Sequence, residues 1–279
     1  MLIDKPAGLT SHDVVQRVRR TYRERSVGHT GTLDPFATGL LVVLLGRATR
    51  LARFVEGQSK TYLAVARLGV GTDTDDATGR ELPPAGRNSV VERDEIETVL
   101  GTLSGAQQQR PPAFSAKHVA GVRSYRMARR GELVELPAVS VVVHHLELLD
   151  VAGDLVSFRT TVSAGTYIRA IARDLGERLG TGAHLVSLRR QSIGSLDVAD
   201  AIPADQLTPE TPLLPALAVL GHLPVREVDR ESAAAVAHGR AVPDGESSGL
   251  VALVEGGRLL AVASAEDGWL RPRVVLEVA

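Results

Sequence analysis

Six consecutive apolar residues, Leu40-Leu41-Val42-Val43-Leu44-Leu45, leave neither face of a strand fit for water and predict a buried one. Upstream, Val14, Val15, Val18 and Tyr22 fall on one helical stripe, with Arg17, Arg19, Arg20, Arg23 and Arg25 spread over the remainder. Thr10-Ser11-His12-Asp13 opens that helix in capping-box form, with Asp13 in place of the more usual Glu. A short helix over 47–54 comes after the apolar run, and 60–68 reads as a strand rich in β-formers. Residues 91–100 predict an acidic helix closed by Gly101. Pro111 and Pro112 keep 107–117 out of regular structure, and 121–131 reads as a short basic helix with a glycine stop. Strands are expected around 138–149, 155–162 and 185–192. Between the last two, a helix starting near Thr166 buries Ile168, Ile171, Leu175 and Leu179 and stops at Gly180 and Gly182. Prolines at 203, 209, 212, 215 and 224 give the next stretch linker composition and mark a domain boundary. The tail restarts with a strand at 225–228, a small helix over 229–238, a hairpin turning at Gly256-Gly257 and a last strand from about 269 to 278.

At 279 residues the chain holds one large domain or two, and 44% hydrophobic with 23% charged residues is ordinary globular composition. It has no cysteine, which excludes disulfides and thiolate metal sites and fits a reducing compartment. No apolar stretch approaches the ~20 residues of a membrane span, and the first residues lack the blocks of a signal peptide, so the expectation is cytoplasmic. The net charge of −1 conceals an asymmetry: 1–70 carry eleven Lys/Arg against five Asp/Glu, and 109–135 carry six against two. Residues 71–108 and 201–279 are acidic. All the cations except Lys5, Lys60 and Lys117 are arginine, whose planar fork suits phosphate. Two basic blocks in a neutral chain suggest a groove for a polyanion, against the alternative of plain surface charge.

Two stretches carry candidate chemistry. Gly28-His29-Thr30-Gly31-Thr32-Leu33-Asp34-Pro35-Phe36-Ala37-Thr38-Gly39 is a glycine-rich loop that brings a single acid to the edge of the buried strand, stiffened by the proline after it. Ser163-Ala164-Gly165-Thr166-Tyr167-Ile168-Arg169 puts an arginine in the first turn of a helix, where the macrodipole disfavours it. Such an arginine is either solvated or held by an anion. The acidic turn over 69–79 lacks the glycine position and closing glutamate of a calcium loop and reads as a polar turn. His144 and His145 are adjacent and point to opposite faces of a strand, so no metal site is read.

Taken together, DKPAGLTSHDVV (4–15), GHTGTLDPFATGLLVV (28–43), KTYLAV (60–65), GTDTDDATG (71–79), GVRSYRMARRGE (121–132) and GTYIRAIARDLGERLGTGAHLVSLRR (165–190) resemble the bacterial tRNA pseudouridine synthase B family, in the family's order. The resemblance implies an α+β pseudouridine synthase fold, a mixed and largely antiparallel sheet flanked by helices. It also implies a small β-rich C-terminal domain similar to the RNA-binding PUA domain. The expected layout is a catalytic domain over 1–205, a Pro-rich linker over 206–223 and the C-terminal domain over 224–279. The implied activity is isomerisation of uridine 55 in the T-arm of tRNA, by a monomer that needs no cofactor and no metal. The resemblance makes Asp34 the nucleophile, Arg169 its guanidinium partner and Tyr62 the ring that stacks on the target uracil. His29, Tyr167, Leu188 and Lys5 would contact the substrate. Arg17, Arg20, Arg23, Arg123, Arg126, Arg129 and Arg130 are candidates for phosphate. Two rivals remain open at this point: a non-catalytic RNA-binding module that keeps the pocket, and a glycosidase, which needs a second carboxylate that the key loop lacks.

Overall fold

The computed structural model describes residues 1–83, 90–114, 118–119, 122–123, 136–245 and 248–276. In chain order the elements are β1 (Leu2–Lys5), α1 (Ser11–Tyr22), β2 (Val27–His29), β3 (Thr38–Leu45), α2 (Ala52–Glu56), β4 (Lys60–Leu68), α3 (Arg93–Thr102), β5 (Gly105–Gln109), β6 (His118–Val119) and β7 (Val122–Arg123). They continue with β8 (Val139–Ala152), β9 (Leu155–Val162), α4 (Ile168–Leu179), β10 (Ala183–Ile193), β11 (Leu196–Asp197) and β12 (Ile202–Pro203). The tail holds β13 (Val225–Glu227), α5 (Arg230–Ala237), β14 (Val242–Pro243), β15 (Gly249–Glu255), β16 (Arg258–Glu266) and β17 (Trp269–Val275). This is an α+β architecture of mixed, mostly antiparallel sheets with helices against them. Among the described residues no helix is long and apolar enough to cross a membrane.

The chain divides into two compact units, Met1–Pro35 with Leu40–Gly57 and Ile193–Ala279, and Phe36–Gly39 with Gln58–Ser192. In the first, the apolar run of β3 sorts by the two-residue period of a strand. Leu41 and Val43 pack with Val14, Val15 and Val18 of α1, whereas Leu40, Val42 and Leu44 pack with Phe54 and Val55 of α2 and with tail residues that include Val254, Leu259 and Val262. Both faces of this strand are therefore core, as six apolar residues in a row require. The capping box forms as its residues predict: the Thr10 hydroxyl accepts from the Asp13 N–H at 3.1 Å, and the Asp13 carboxylate accepts from the Thr10 N–H at 2.8 Å. The tail sheet runs β13-β15-β16-β17-β14. Gly256 and Gly257 turn its central hairpin with both φ values positive. Arg47, Arg50 and Arg53 donate to the carbonyls of Leu276, Val275 and Arg273 at 3.1, 2.6 and 3.2 Å.

The second unit is built on the sheet β10-β4-β9-β8-β5. Helix α3 packs on β8 and on α4, and α4 on β4. Thr38 and Gly39, where β3 begins, pair in parallel with Arg189 and Arg190 of β10. Gly39 has φ +102°, and a Cβ there would sit 2.2 Å from the Arg190 carbonyl oxygen, so only glycine lets the loop enter the strand at this point. Three expectations change. Gln107 to Gln109 lie in β5 and the irregular stretch begins only at Arg110, because Pro111 and Pro112 withdraw N–H groups from the ladder at their own positions and leave the preceding residues free to pair. Of the helix expected over 121–131, Val122 and Arg123 pair with Val119 and His118 as a ladder, and the remainder lies outside the described residues. The helix expected from Thr166 starts at Ile168, with Tyr167 extended as its N-cap.

Gly176 shows how closely α4 meets the chain that leaves it. A Cβ at this position would lie 2.2 Å from the Ala183 nitrogen and 2.3 Å from the Gly182 carbonyl carbon. In an open helix Gly→Ala gains about 1 kcal/mol. Here the overlap falls on backbone that cannot rotate away, and Gly176→Ala is expected to lose ~1–3 kcal/mol, read as a lowered midpoint in urea unfolding.

Candidate active site

Asp34 is half-buried in the loop that joins β2 to β3, and the residues on either side of it are pinned to the N-terminal segment. The Ser11 hydroxyl accepts from the Leu33 N–H at 2.8 Å and donates to the Leu33 carbonyl at 3.2 Å. The Pro35 carbonyl accepts from the Gly8 N–H at 2.8 Å and from Lys5 Nζ at 3.4 Å. Lys5 has no exposed surface and also donates to the carbonyls of Pro6 and Leu9 at 2.9 and 2.7 Å. A buried ammonium needs such acceptors, and supplying them ties the loop down. The backbone on both sides of the carboxylate is thus fixed before any substrate arrives. His29 lies on β2 opposite Val43, half-buried.

In the second unit, Tyr62 stands on β4 opposite Thr160 of β9 and is buried, as is Leu188 on β10. Tyr167 and Arg169 open α4. No side chain caps this helix; instead the Gln109 amide accepts from the Tyr167 N–H at 2.8 Å and donates to the Tyr167 carbonyl at 3.1 Å. Arg169 donates to the carbonyls of Thr74 at 2.8 Å and Phe114 at 3.0 Å and pairs with the Asp76 carboxylate at 3.3 Å, with each side chain of the pair 5% exposed. Of the two fates open to a first-turn arginine, being held by an anion is the one observed. The other Asp76 oxygen accepts from Thr74 Oγ1 at 2.9 Å, the Thr78 N–H at 2.9 Å and Thr78 Oγ1 at 2.5 Å. The acidic turn is fastened to β10, with the Leu185 N–H donating to Asp75 and its carbonyl accepting from Ala77.

Sequence reasoning left Asp76 without a role and passed over Ser11 and Gln109 as site residues. Asp76 has a trace in the threonines at 72, 74 and 78 around it, a donor set suited to a buried carboxylate. Ser11 was hidden inside a capping box that explained it otherwise. Of the phosphate candidates, Arg17 already gives one N–H to the Ala204 carbonyl at 3.0 Å, while Arg20 and Arg23 are exposed at the end of α1. Arg123 lies on β7, and Arg126, Arg129 and Arg130 fall outside the described residues. Among the described residues no group of three or more His, Cys, Asp or Glu side chains is placed to hold a metal.

Next to Asp76, Asp75 pairs with Arg173 at 3.0 Å while its backbone takes a left-handed φ of +59°. Burial pushes its carboxyl up to about 6 against the pull of Arg173 and Arg169. A carboxyl raised above its ordinary 3.8 favours the fold most when protonated, and that contribution is lost as pH rises through about 6. The unfolding free energy of the wild type relative to Asp75→Asn is therefore expected to fall by about 3 kcal/mol between pH 3.5 and 7, at about 1.4 kcal/mol per pH unit separating the two pKa values. Urea unfolding of both proteins across that range is the measurement, and a flat difference would refute the assignment.

Comparison with known proteins places the whole chain in a family. Residues 19–168 match the model of the N-terminal domain of TruB family pseudouridylate synthases, and 169–212 match a tRNA pseudouridylate synthase B C-terminal domain. A protein of Synechococcus sp. (strain WH7803) named tRNA pseudouridine synthase B is 44% identical, over 99% of this chain and 96% of its own. One of the same name from Thermobifida fusca (strain YX) is 45% identical, over 99% and 97%. Among solved structures, a Cbf5-Nop10-Gar1 complex includes a chain similar at a TM-score of 0.75 and 27% identity, covering 99% of this chain and 85% of that one. A full-length match at this identity, with the aspartate loop and the arginine-headed helix both inside the matched residues, has one consequence: the chain belongs to the TruB family of pseudouridylate synthases.

Proposed function

We propose that the protein isomerises uridine to pseudouridine in tRNA, at position 55 in the loop of the T-arm, with Asp34 as nucleophile. The observation that most supports this is the end-to-end similarity to proteins named tRNA pseudouridine synthase B. The chemistry moves the glycosidic bond of uracil from N1 to C5, with one proton lost from C5 and one gained at N1, so nothing is oxidised and no co-reactant enters. A carboxylate adds to the base or the ribose, the N1 bond breaks, the uracil turns, the C5 bond forms and the carboxylate leaves. Asp34 has to be ionised for this, and the Arg169 guanidinium favours that form. A stacked base cannot react, so the uridine flips out at a cost of a few kcal/mol, and stacking on Tyr62 returns ~1–3 kcal/mol. His29, Tyr167 and Leu188 contact the extruded nucleotide and its loop, and Lys5 acts through the loop that it holds. Arg17, Arg20 and Arg23, with Arg123, Arg126, Arg129 and Arg130, bind backbone phosphates, the usual way in which folded RNA is gripped. Incubating unmodified tRNA with the purified protein and mapping pseudouridine at single-nucleotide resolution tests the reading. One modified site, at 55, is expected; product elsewhere or none overturns it.

A further inference from the structure

The stretch from Gln109 to Phe114 is laced to α4 at three points. The Gln109 amide meets both backbone groups of Tyr167, Arg173 donates to the Arg110 carbonyl at 2.9 Å, and Arg169 donates to the Phe114 carbonyl at 3.0 Å. Pro111 and Pro112 lack N–H groups, so this stretch cannot continue the ladder of β5, and its carbonyls are left for helix side chains. Gln109 is 1% exposed and does for Tyr167 what a neighbouring strand would do, one acceptor for its N–H and one donor for its carbonyl. It does so at the one residue where α4 has no side-chain cap, two residues before Arg169.

We propose that Gln109 is a positioning residue for catalysis: by clamping Tyr167 it sets the first turn of α4 and hence the direction in which Arg169 presents its guanidinium. This rests on the assignment of Arg169 as the partner of Asp34. A side chain doing no more than filling space could be replaced by one of the same shape. A clamp cannot, because removing it takes two hydrogen bonds from the Tyr167 backbone, whose carbonyl also accepts from the Ile171 N–H at 3.3 Å, and a displacement of about 1 Å at a catalytic group costs up to ~100-fold in rate.

Two variants test it, using single-turnover pseudouridine formation and filter binding on a T-arm stem-loop. Gln109→Met keeps the shape and removes both hydrogen bonds; its rate constant at saturating enzyme is expected to fall ~10–100-fold while its Kd changes less than about 3-fold. Gln109→Glu keeps the acceptor, loses the donor and sets a carboxylate against a carbonyl, until protonation restores an O–H in the amide's place. Its rate relative to the wild type is expected to rise ~10-fold as pH is lowered from about 8 to about 5.5, a profile that loss of packing does not produce. Taking the ratio removes the titration of Asp75, which faces the same helix through Arg173. A wild-type rate constant in folded Gln109→Met, or a flat ratio for Gln109→Glu, overturns the inference. If Asp34→Asn abolishes product while the Gln109 variants behave as wild type, only the positioning role is lost; if Asp34→Asn stays active, the assignment beneath it is lost as well.

Discussion

Asp34→Asn is expected to abolish pseudouridine formation, a fall of ~10⁴-fold or more, while affinity for a T-arm stem-loop changes less than about 3-fold. Asparagine matches aspartate in shape but offers no ionised oxygen, so it cannot add to the base or the ribose. The loop has little reason to move, since the bonds that fix it run to Leu33 and Pro35 on either side and come from Ser11, Gly8 and Lys5. Chemical mapping of the modified base gives the rate, filter binding gives the affinity, and a melting temperature within a few degrees of the wild type confirms the fold. The same experiment addresses the two rivals that the chain leaves open before its structure is seen. A protein that only binds RNA would hold the stem-loop in both forms and modify it in neither. A glycosidase would leave the RNA untouched and act on a polysaccharide.

How far the chain announces its fold depends on where the information sits. The buried strand, the capping box and the Gly256-Gly257 hairpin were legible because each is decided within ten residues by periodicity, one hydrogen-bonded pair or two positive φ angles. Strand β2 was not, because three residues, Val27–His29, carry no period and owe their conformation to pairing with β3. Nor was the ladder at Val122–Arg123, where a run of helix-compatible basic residues outweighed a two-residue pairing decided elsewhere. The acid and the arginine of the candidate site stood out because both are costly where they are: a lone carboxylate in a glycine-rich loop, a cation at a helix start. Their supports did not. Gln109 and Asp76 meet the residues they hold across 58 and 93 positions of sequence, and nothing local marks a glutamine or a turn aspartate as the partner of a distant helix.

Arg169→Met is expected to lose both stability and turnover, and adding Asp76→Asn to recover only the first. Removing the guanidinium leaves a carboxylate with 5% exposure and no counter-charge from that side, a change that costs ~3–5 kcal/mol in buried pairs. In the double variant the charge is gone, and the asparagine oxygen still accepts from the N–H and hydroxyl of Thr78, so most of that loss is expected to return, a coupling of ~2–3 kcal/mol in the double-mutant cycle. Turnover is a different matter. If Arg169 keeps a nucleophilic carboxylate ionised, an apolar side chain at 169 lowers the single-turnover rate ~100–1,000-fold whether or not Asp76 is neutral. The cycle therefore separates two readings of one ion pair. Recovery of stability without activity identifies a guanidinium that Asp76 holds in place for work on another group. Recovery of both would mean that the pair serves only the fold, and Asp34 would then need its charge stabilised by something other than Arg169.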